Sequence, residues 1–182
     1  RVYNGTGVLL HGDGTVQEGT WVEGKGQVKV TYANGDVYVG GLDENRRHGY
    51  GTMTYDSGVV FKGMWENHKQ HGQGMMINSD GTVLEGEWRD GKIYNGSGVL
   101  LHRGAVCEGT WAKGLSQGQV KIMYPKGNVY EGEVVSNNRH GYGKMTYSDG
   151  RVYDGECVDN GQWHGKGKLT NVDGTVLEGE WR

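Results

Sequence analysis

Eight glycines set the terms for this chain. Each closes a triplet that often begins with an apolar residue, and they stand at Gly19, Gly40, Gly63, Gly86, Gly109, Gly132, Gly155 and Gly179. The intervals are 21, then 23 five times, then 24. So regular a period in the range of 20 to 50 residues marks a repeat architecture, in which each unit buries its apolar surface against its neighbours.

Three copies read VFKGMWENHKQHGQGMMINSDG, VYEGEVVSNNRHGYGKMTYSDG and VYVGGLDENRRHGYGTMTYDSG. Each contains two short runs. The first, as in Val60 to Trp65, alternates apolar with polar, and most of the second, as in Gly49 to Tyr55, does the same; a period of two is that of a β-strand. Glu66-Asn67, Asp90-Gly91, Asp80-Gly81, Asp149-Gly150 and Asp173-Gly174 separate the runs and are hairpin-turn residues. Glycine fills 36 of 182 positions and only 34% of the chain is hydrophobic. Glycine at that level opposes a helical bundle, costing about 1 kcal/mol per residue against alanine, while 6 Trp and 11 Tyr oppose disorder.

The repeat was itself copied in a block. RVYNGTGVLLH from Arg1 returns as KIYNGSGVLLH from Lys92, and RHGYGTMTY from Arg47 returns as RHGYGKMTY from Arg139. The expected organisation is one array over 1–182 made of two four-repeat blocks, 1–91 and 92–182. Length changes fall near Lys25, at Gly161 to Trp163 and in HRGAV against HGDGTV, where turns are expected to absorb them.

The combination aromatic-x-Gly-x-Trp, a short polar turn and His-Gly-x-Gly resembles the MORN (membrane occupation and recognition nexus) repeat over essentially the whole chain. Gln17 and Cys107 depart from it at the first aromatic, Leu42, Val134 and Cys157 at the tryptophan, and Lys25-Gly26 and Gln117-Gly118 at His-Gly. The resemblance implies an all-β fold, an elongated single-layer antiparallel β-hairpin solenoid of about eight repeats of ~23 residues. It also implies protein interaction or membrane attachment without catalysis.

Strand parity divides such a sheet into two faces. Phe61, Gly63 and Trp65 share one, which Gly72, Gly74 and Met76 should join by hairpin pairing. Large rings lying over neighbouring glycines would bury area within a single layer. That ladder is expected to contain Trp21, Trp65, Trp88, Trp111 and Trp181, with Tyr32, Tyr55, Tyr124 and Tyr147 from the second strands. Tyr32, Tyr55, Trp65, Trp88, Trp111, Tyr124 and Tyr147 are the candidate partner-binding residues if the sheet curves into a groove on this side. Glu85, Glu87, Glu131, Glu133, Glu178 and Glu180 fall on the other face with Lys29, Lys121, Lys144, Lys166 and Lys168, a pattern that predicts cross-strand ion pairs. Apolar residues interrupt that face at Val8 and Leu10, and at Met75, Ile77, Val99, Leu101 and Met123, the alternative interface.

Catalytic, cofactor and metal sites are not expected. The carboxylates follow the repeat instead of forming one dyad. His48, His71, His140 and His164 share a repeat position, so neighbours lie two strands, about 9.5 Å, apart, too far for one zinc ion; each is expected to order its own turn. Cys107 and Cys157 lie four strands apart, beyond disulfide reach, and two free thiols fit a reducing, cytoplasmic setting. The glycosylation pattern at Asn4 and Asn95 is read as chance. No GxxxxGK[ST], GxSxG or CxxC occurs.

A net charge of −3 without a basic run gives no nucleic-acid footprint, and no apolar stretch is long enough for a membrane helix. The chain begins at Arg1 instead of Met, as a segment of a longer protein would. The expected function is a non-catalytic scaffold or adaptor for a cytoskeletal or membrane-associated protein, with a homodimer as one form. Alternatives are a phospholipid-binding tether, weakly favoured because NRRH at Asn45 is the densest basic cluster, and the regulatory segment of a larger enzyme. A choline-type aromatic cage would want consecutive aromatics, which are absent.

Overall fold

The computed structural model describes residues 4–159 and 161–182. Among these, all regular structure is β, in strands β1 (Gly5–Leu10), β2 (Val16–Val22), β3 (Lys25–Thr31), β4 (Val37–Asp43), β5 (Arg46–Thr54), β6 (Val60–Glu66), β7 (Lys69–Ile77) and β8 (Val83–Arg89), then β9 (Lys92–His102), β10 (Ala105–Ala112), β11 (Leu115–Met123), β12 (Val129–Val135), β13 (Asn138–Thr146), β14 (Val152–Val158), β15 (Gln162–Thr170) and β16 (Val176–Trp181). Order in the sheet follows order in the chain. Contacts group the residues into two compact units, one up to Tyr94 and one from Asn95.

Two turn types alternate, except between β9 and β10, where Arg103-Gly104 makes a two-residue turn in place of the longer one. At one end of each hairpin, pairs such as Glu44-Asn45 (φ 49° and 65°) and Ser136-Asn137 (52° and 69°) both take positive φ, which matches the twist of the flanking strands. The hairpin of β6 and β7 turns at Asn67-His68, one residue later than Glu66-Asn67, because Glu66 pairs with Lys69. At the other end, Tyr55 N donates to Val59 O and Gly58 N to Tyr55 O, and the same pair of bonds recurs at Tyr32, Tyr124 and Tyr147.

His-Gly-x-Gly is a register device. Gly40 pairs with Gly51 and Leu42 with Arg47, so His48, Gly49 and Tyr50 stand opposite the single residue Gly41. The same break recurs opposite Met64, Glu133 and Glu156. Gly49 turns the chain there at φ 72°, a conformation that costs a residue with a Cβ 1 to 2 kcal/mol or so. Gly72 sits at the break too, and pairs with Trp88 on the following strand instead of within its own hairpin. Strands β2 and β3 pair without any break: the two residues missing near Lys25 are those of the bulge, while the two-residue turn Glu23-Gly24 is kept. A bulge can be deleted in pairs without reversing the faces, since side chains alternate with period two.

In each unit one face of the sheet is buried. In the first, Tyr38, Phe61 and Leu84 are fully covered, with Trp21, Met53, Trp65 and Trp88 nearly so; in the second, Tyr130, Val134 and Tyr153 are the most deeply covered, joined by Val120, Met145 and Leu169. Glycine makes this possible. A Cβ on Gly51 or Gly143 would fall onto the ring of Tyr38 or Tyr130, so the rings lie flat where side chains are missing.

Candidate interaction surfaces

The aromatic face is held by hydrogen bonds that satisfy backbone groups freed by the bulges. Tyr38 Oη donates to Gly41 O at 2.9 Å, and Tyr130 and Tyr153 donate to Glu133 O and Glu156 O at 2.7 Å. Each acceptor is the residue facing a register break, where the ladder lacks a regular partner. The indole N–H of Trp65 reaches Gly51 O at 3.2 Å, that of Trp88 Gly74 O at 3.0 Å, and that of Trp181 Gly167 O at 3.0 Å. Phe61 meets Trp65 and Trp88 edge to face at 5.3 and 5.1 Å between centroids, a favoured arrangement.

Arginines roof the rings. Arg47 lies 4.6 Å from the Trp65 ring and 6.0 Å from Tyr38, while its Nη2 donates to His68 O at 3.0 Å. Arg139 takes the equivalent place 5.6 Å from Tyr130. Such cation–π contacts are worth about 0.5 to 2 kcal/mol. Sequence reasoning missed both arginines, although their position before His-Gly in both copies of the nonapeptide puts them on the aromatic side by parity.

Of the seven candidate partner-binding residues, Trp65, Trp88 and Trp111 are core, with 3%, 2% and 6% of their surface exposed. Tyr32, Tyr55, Tyr124 and Tyr147 are half-buried and lie one residue beyond their strands, in the turns instead of within the second strands. Burial raises the pKa of Tyr32, Tyr55 and Tyr124, partly offset by Arg47 for the first two and Arg139 for the third. Tyr55 Oη accepts from Gln70 at 3.2 Å and Tyr147 Oη from the Trp163 indole at 3.2 Å. Tyr130, Met145, Tyr147, Tyr153 and Trp163 help line a recess on this face of only about 10 Å³.

Wider depressions lie on the polar face: about 270 Å³ between Tyr50, Lys62, Gln73, Met75 and Glu85, about 580 Å³ beside Thr20, Lys25 and Gln27, about 560 Å³ beside Glu108, Gln119 and Lys121, and about 730 Å³ between Tyr142, Asp154, Lys166, Lys168, Glu178 and Glu180. Two rows on this face run clear of the bulges. In the second unit one row reads Glu108, Lys121, Glu131, Lys144, Asp154, Lys168, Glu178 on successive strands β10 to β16, alternating in sign throughout. Lys121 and Glu131 close to 3.0 Å. In the first unit the same row reads Val8, Glu18, Lys29, Val39, Thr52, Lys62, Met75, Glu85. The adjoining row is apolar or threonine, with Leu10, Val16, Val37, Val60, Ile77 and Val83 in one unit and Leu101, Val106, Met123, Val129, Val152 and Val176 in the other. Ile77, Leu101 and Met123 of the alternative interface belong to this row, and Met75 and Val99 to the charged one. Period-two β-branched residues between strands explain the row without a partner.

The histidine expectation holds only in part. His71 Nδ1 lies 3.5 Å from Glu66, whereas His48, His140 and His164 are exposed and make no side-chain hydrogen bond among the described residues; backbone bonds close the turns without them. Asn4 and Asn95 have a structural role as turn caps, accepting from Glu23 N at 2.8 Å and Lys113 N at 3.0 Å. Cys107 and Cys157 are both free, and burial raises the Cys107 thiol pKa.

The MORN repeat family matches residues 38–60, 61–83, 85–101, 107–129, 130–150 and 157–176, more than half of the chain. The chain belongs to the MORN repeat family. A comparison with curated proteins returned no match. Among solved structures, similarity extends to the SAS-4 TCP domain of Drosophila melanogaster in complex with a proline-rich motif of Ana2 (13% identity, 97% of this chain and 90% of that one, TM-score 0.30). The TCP10 domain of Danio rerio CPAP, in complex with a STIL peptide, is also similar (18% identity, 99% and 97%, TM-score 0.29). Likeness at these scores carries no argument about binding.

Proposed function

We propose that this MORN array is a non-catalytic scaffold that binds another protein through an open face of its sheet. One observation carries the reading: the polar face of the first unit leaves Val39, Tyr50 and Met64 exposed at 52%, 64% and 41%, although the opposite face already supplies a core. Large apolar side chains grouped on a surface favour an interface. The half-buried tyrosines beside Arg47 are a second place for contact on the aromatic face. A reducing, cytoplasmic location suits the two free thiols. Anionic lipid is the weaker reading, because the charge is −3 and polybasic recruitment requires clustered cations.

Photo-crosslinkers at Thr54 on the polar face and Tyr55 on the aromatic face, in cells, test this. Recurrent crosslinks to one protein from either position are expected. Salt-sensitive flotation with phosphatidylserine or phosphoinositide vesicles, without protein crosslinks, would replace the scaffold reading by the lipid one.

A further inference from the structure

We infer that the polar face of the first unit, centred on Lys62, docks a protein segment that presents one carboxylate flanked by apolar side chains. The inference rests on the reading of this chain as a protein-binding array and names the face and the partner's chemistry.

Lys62 is exposed on β6, with Thr52 beside it on β5 and Met75 on β7. Neither neighbour is acidic, and Lys62 makes no ion pair among the described residues. Val39 pairs with Thr52 on one side, and Tyr50 pairs with Met64 one row away. Lys62, in no ion pair, thus stands among Val39, Tyr50, Met64 and Met75, beside a trough of about 270 Å³ that Glu85 lines two strands away. A carboxylate would find a partner there, and side chains on either side of it would cover apolar surface that water now covers.

The duplicated block supplies an internal control. The positions of Val39, Lys62, Met64 and Met75 are taken in the second unit by Glu131, Asp154, Glu156 and Lys168. There Asp154 lies between Lys144 and Lys168 and accepts from Tyr142, whose pKa that bond raises. Every central charge of that row has an opposite neighbour, so that face needs no outside ion. On the buried side ring and apolar area is kept, with Tyr38 against Tyr130, Met53 against Met145, Phe61 against Tyr153, and Trp65 against Cys157 with Trp163 across from it. Replacement of paired charges by apolar residues around one open cation is what a docking patch requires and a merely solvated face does not. A bilayer fits less well: recruitment to anionic headgroups requires clustered cations, and Lys62 is the single cation in the row from Val39 to Glu85.

The test uses the full chain against a phage-displayed library of 12-residue peptides. Selected peptides should carry Asp or Glu between apolar residues. Moving the second unit's residues into the patch (Val39→Glu, Lys62→Asp, Met64→Glu and Met75→Lys) should weaken them about tenfold or more. Those residues already stand on equivalent strands of this chain, and circular dichroism checks the fold. Lys62→Glu alone should reverse preference toward peptides with Lys at the central position, a charge swap that unfolding could not produce. Peptides that survive the patch exchange but are lost with Tyr32→Ala and Tyr55→Ala would overturn the face while leaving the scaffold reading intact. Self-association in sedimentation velocity that the exchange abolishes would make a second copy the occupant and overturn the proposal. Vesicle binding with no enriched peptide would overturn both readings.

Discussion

The two units take the second ring of an equivalent hairpin from opposite strands. In the first, Trp65 on β6 pairs with Gln70 on β7; in the second, Cys157 stands at the Trp65 position and its partner across the hairpin is Trp163. Trp163 stacks on Tyr153 at 4.5 Å with the planes 3° apart, and meets Trp181 edge-on at 4.8 Å. Trp65 instead meets Tyr38 and Phe61 edge-on at 5.6 and 5.3 Å. What the repeat fixes is therefore a second ring packed against the one that covers the glycine pair, Phe61 or Tyr153, with the strand that supplies the second ring left free. A single-layer sheet has no second layer to fill a gap, so where the tryptophan is lost its partner across the hairpin covers the site, as Trp163 does opposite Cys157 and the arginines Arg47 and Arg139 do opposite Leu42 and Val134.

Substituting these rings gives the largest expected effects. Trp65→Ala should destabilise the first unit by about 3 to 5 kcal/mol. Trp163→Ala should cost less, because Trp163 is only half-buried, but well above a surface substitution. Urea unfolding read by hydrogen exchange, resolved by unit, measures both. A negligible loss for Trp163→Ala would break the equivalence of the two solutions. Next in size are Gly51→Ala and Gly143→Ala, where the added methyl collides with Tyr38 and Tyr130; forcing those rings aside should cost about 1 to 3 kcal/mol in either unit. Gly7→Ala, with nothing within 4 Å of the added atom, should be close to neutral in the same measurement.

This arrangement is only partly written in the pattern of single residues. The period, the eight hairpins and the side of the sheet holding Phe61 and Trp65 follow from spacing and parity, which are properties of the chain alone. The bulge does not: His48, Gly49 and Tyr50 look like a continuous strand until the pairing of Gly40 with Gly51 shows three residues facing one. Tyr32 and Tyr55 likewise read as strand residues, while the backbone bonds that Tyr55 donates to Val59 O and accepts from Gly58 N place it in a turn. Among interaction residues, Met75 was visible as an apolar break on the polar side. Tyr50 and Met64 were not, because their neighbourhood depends on which strand residue the bulge skips.

Alkaline pH should separate the units further. Burial pushes the Tyr38 hydroxyl up to about 12 from the ordinary value of 10.0. Tyr130 and Tyr153 are also raised, chiefly by burial and then by Cys157. In the unfolded chain these groups lose their protons first, so the unfolded state binds fewer protons and stability falls as pH rises through the interval from about 10 to 12. The first unit has Phe61 where the second has Tyr153, so the second should lose stability more steeply with pH. Tyr153→Phe should bring the two slopes together. Slopes that remain unequal after that substitution would place the difference outside the buried tyrosines.

The smallest effects should come from the row of alternating charge. Each pair is exposed, so removing one member by Lys144→Ala should change stability by less than about 1 kcal/mol. Reversing the charge is more discriminating. Lys144→Glu sets carboxylates on three successive strands with Glu131 and Asp154, and like charges directly opposite one another are unfavourable by some tenths of a kcal/mol each. The equivalent change in the first unit, Thr52→Glu, falls between Val39 and Lys62 and so brings a carboxylate to a cation that has none. The two substitutions should therefore shift melting in opposite directions at low salt, and both shifts should shrink at 1 M salt, where the screening length falls to about 3 Å. Equal losses in both units at low salt would mean that strand propensity, and not the charge of the neighbouring strands, sets the response of this face.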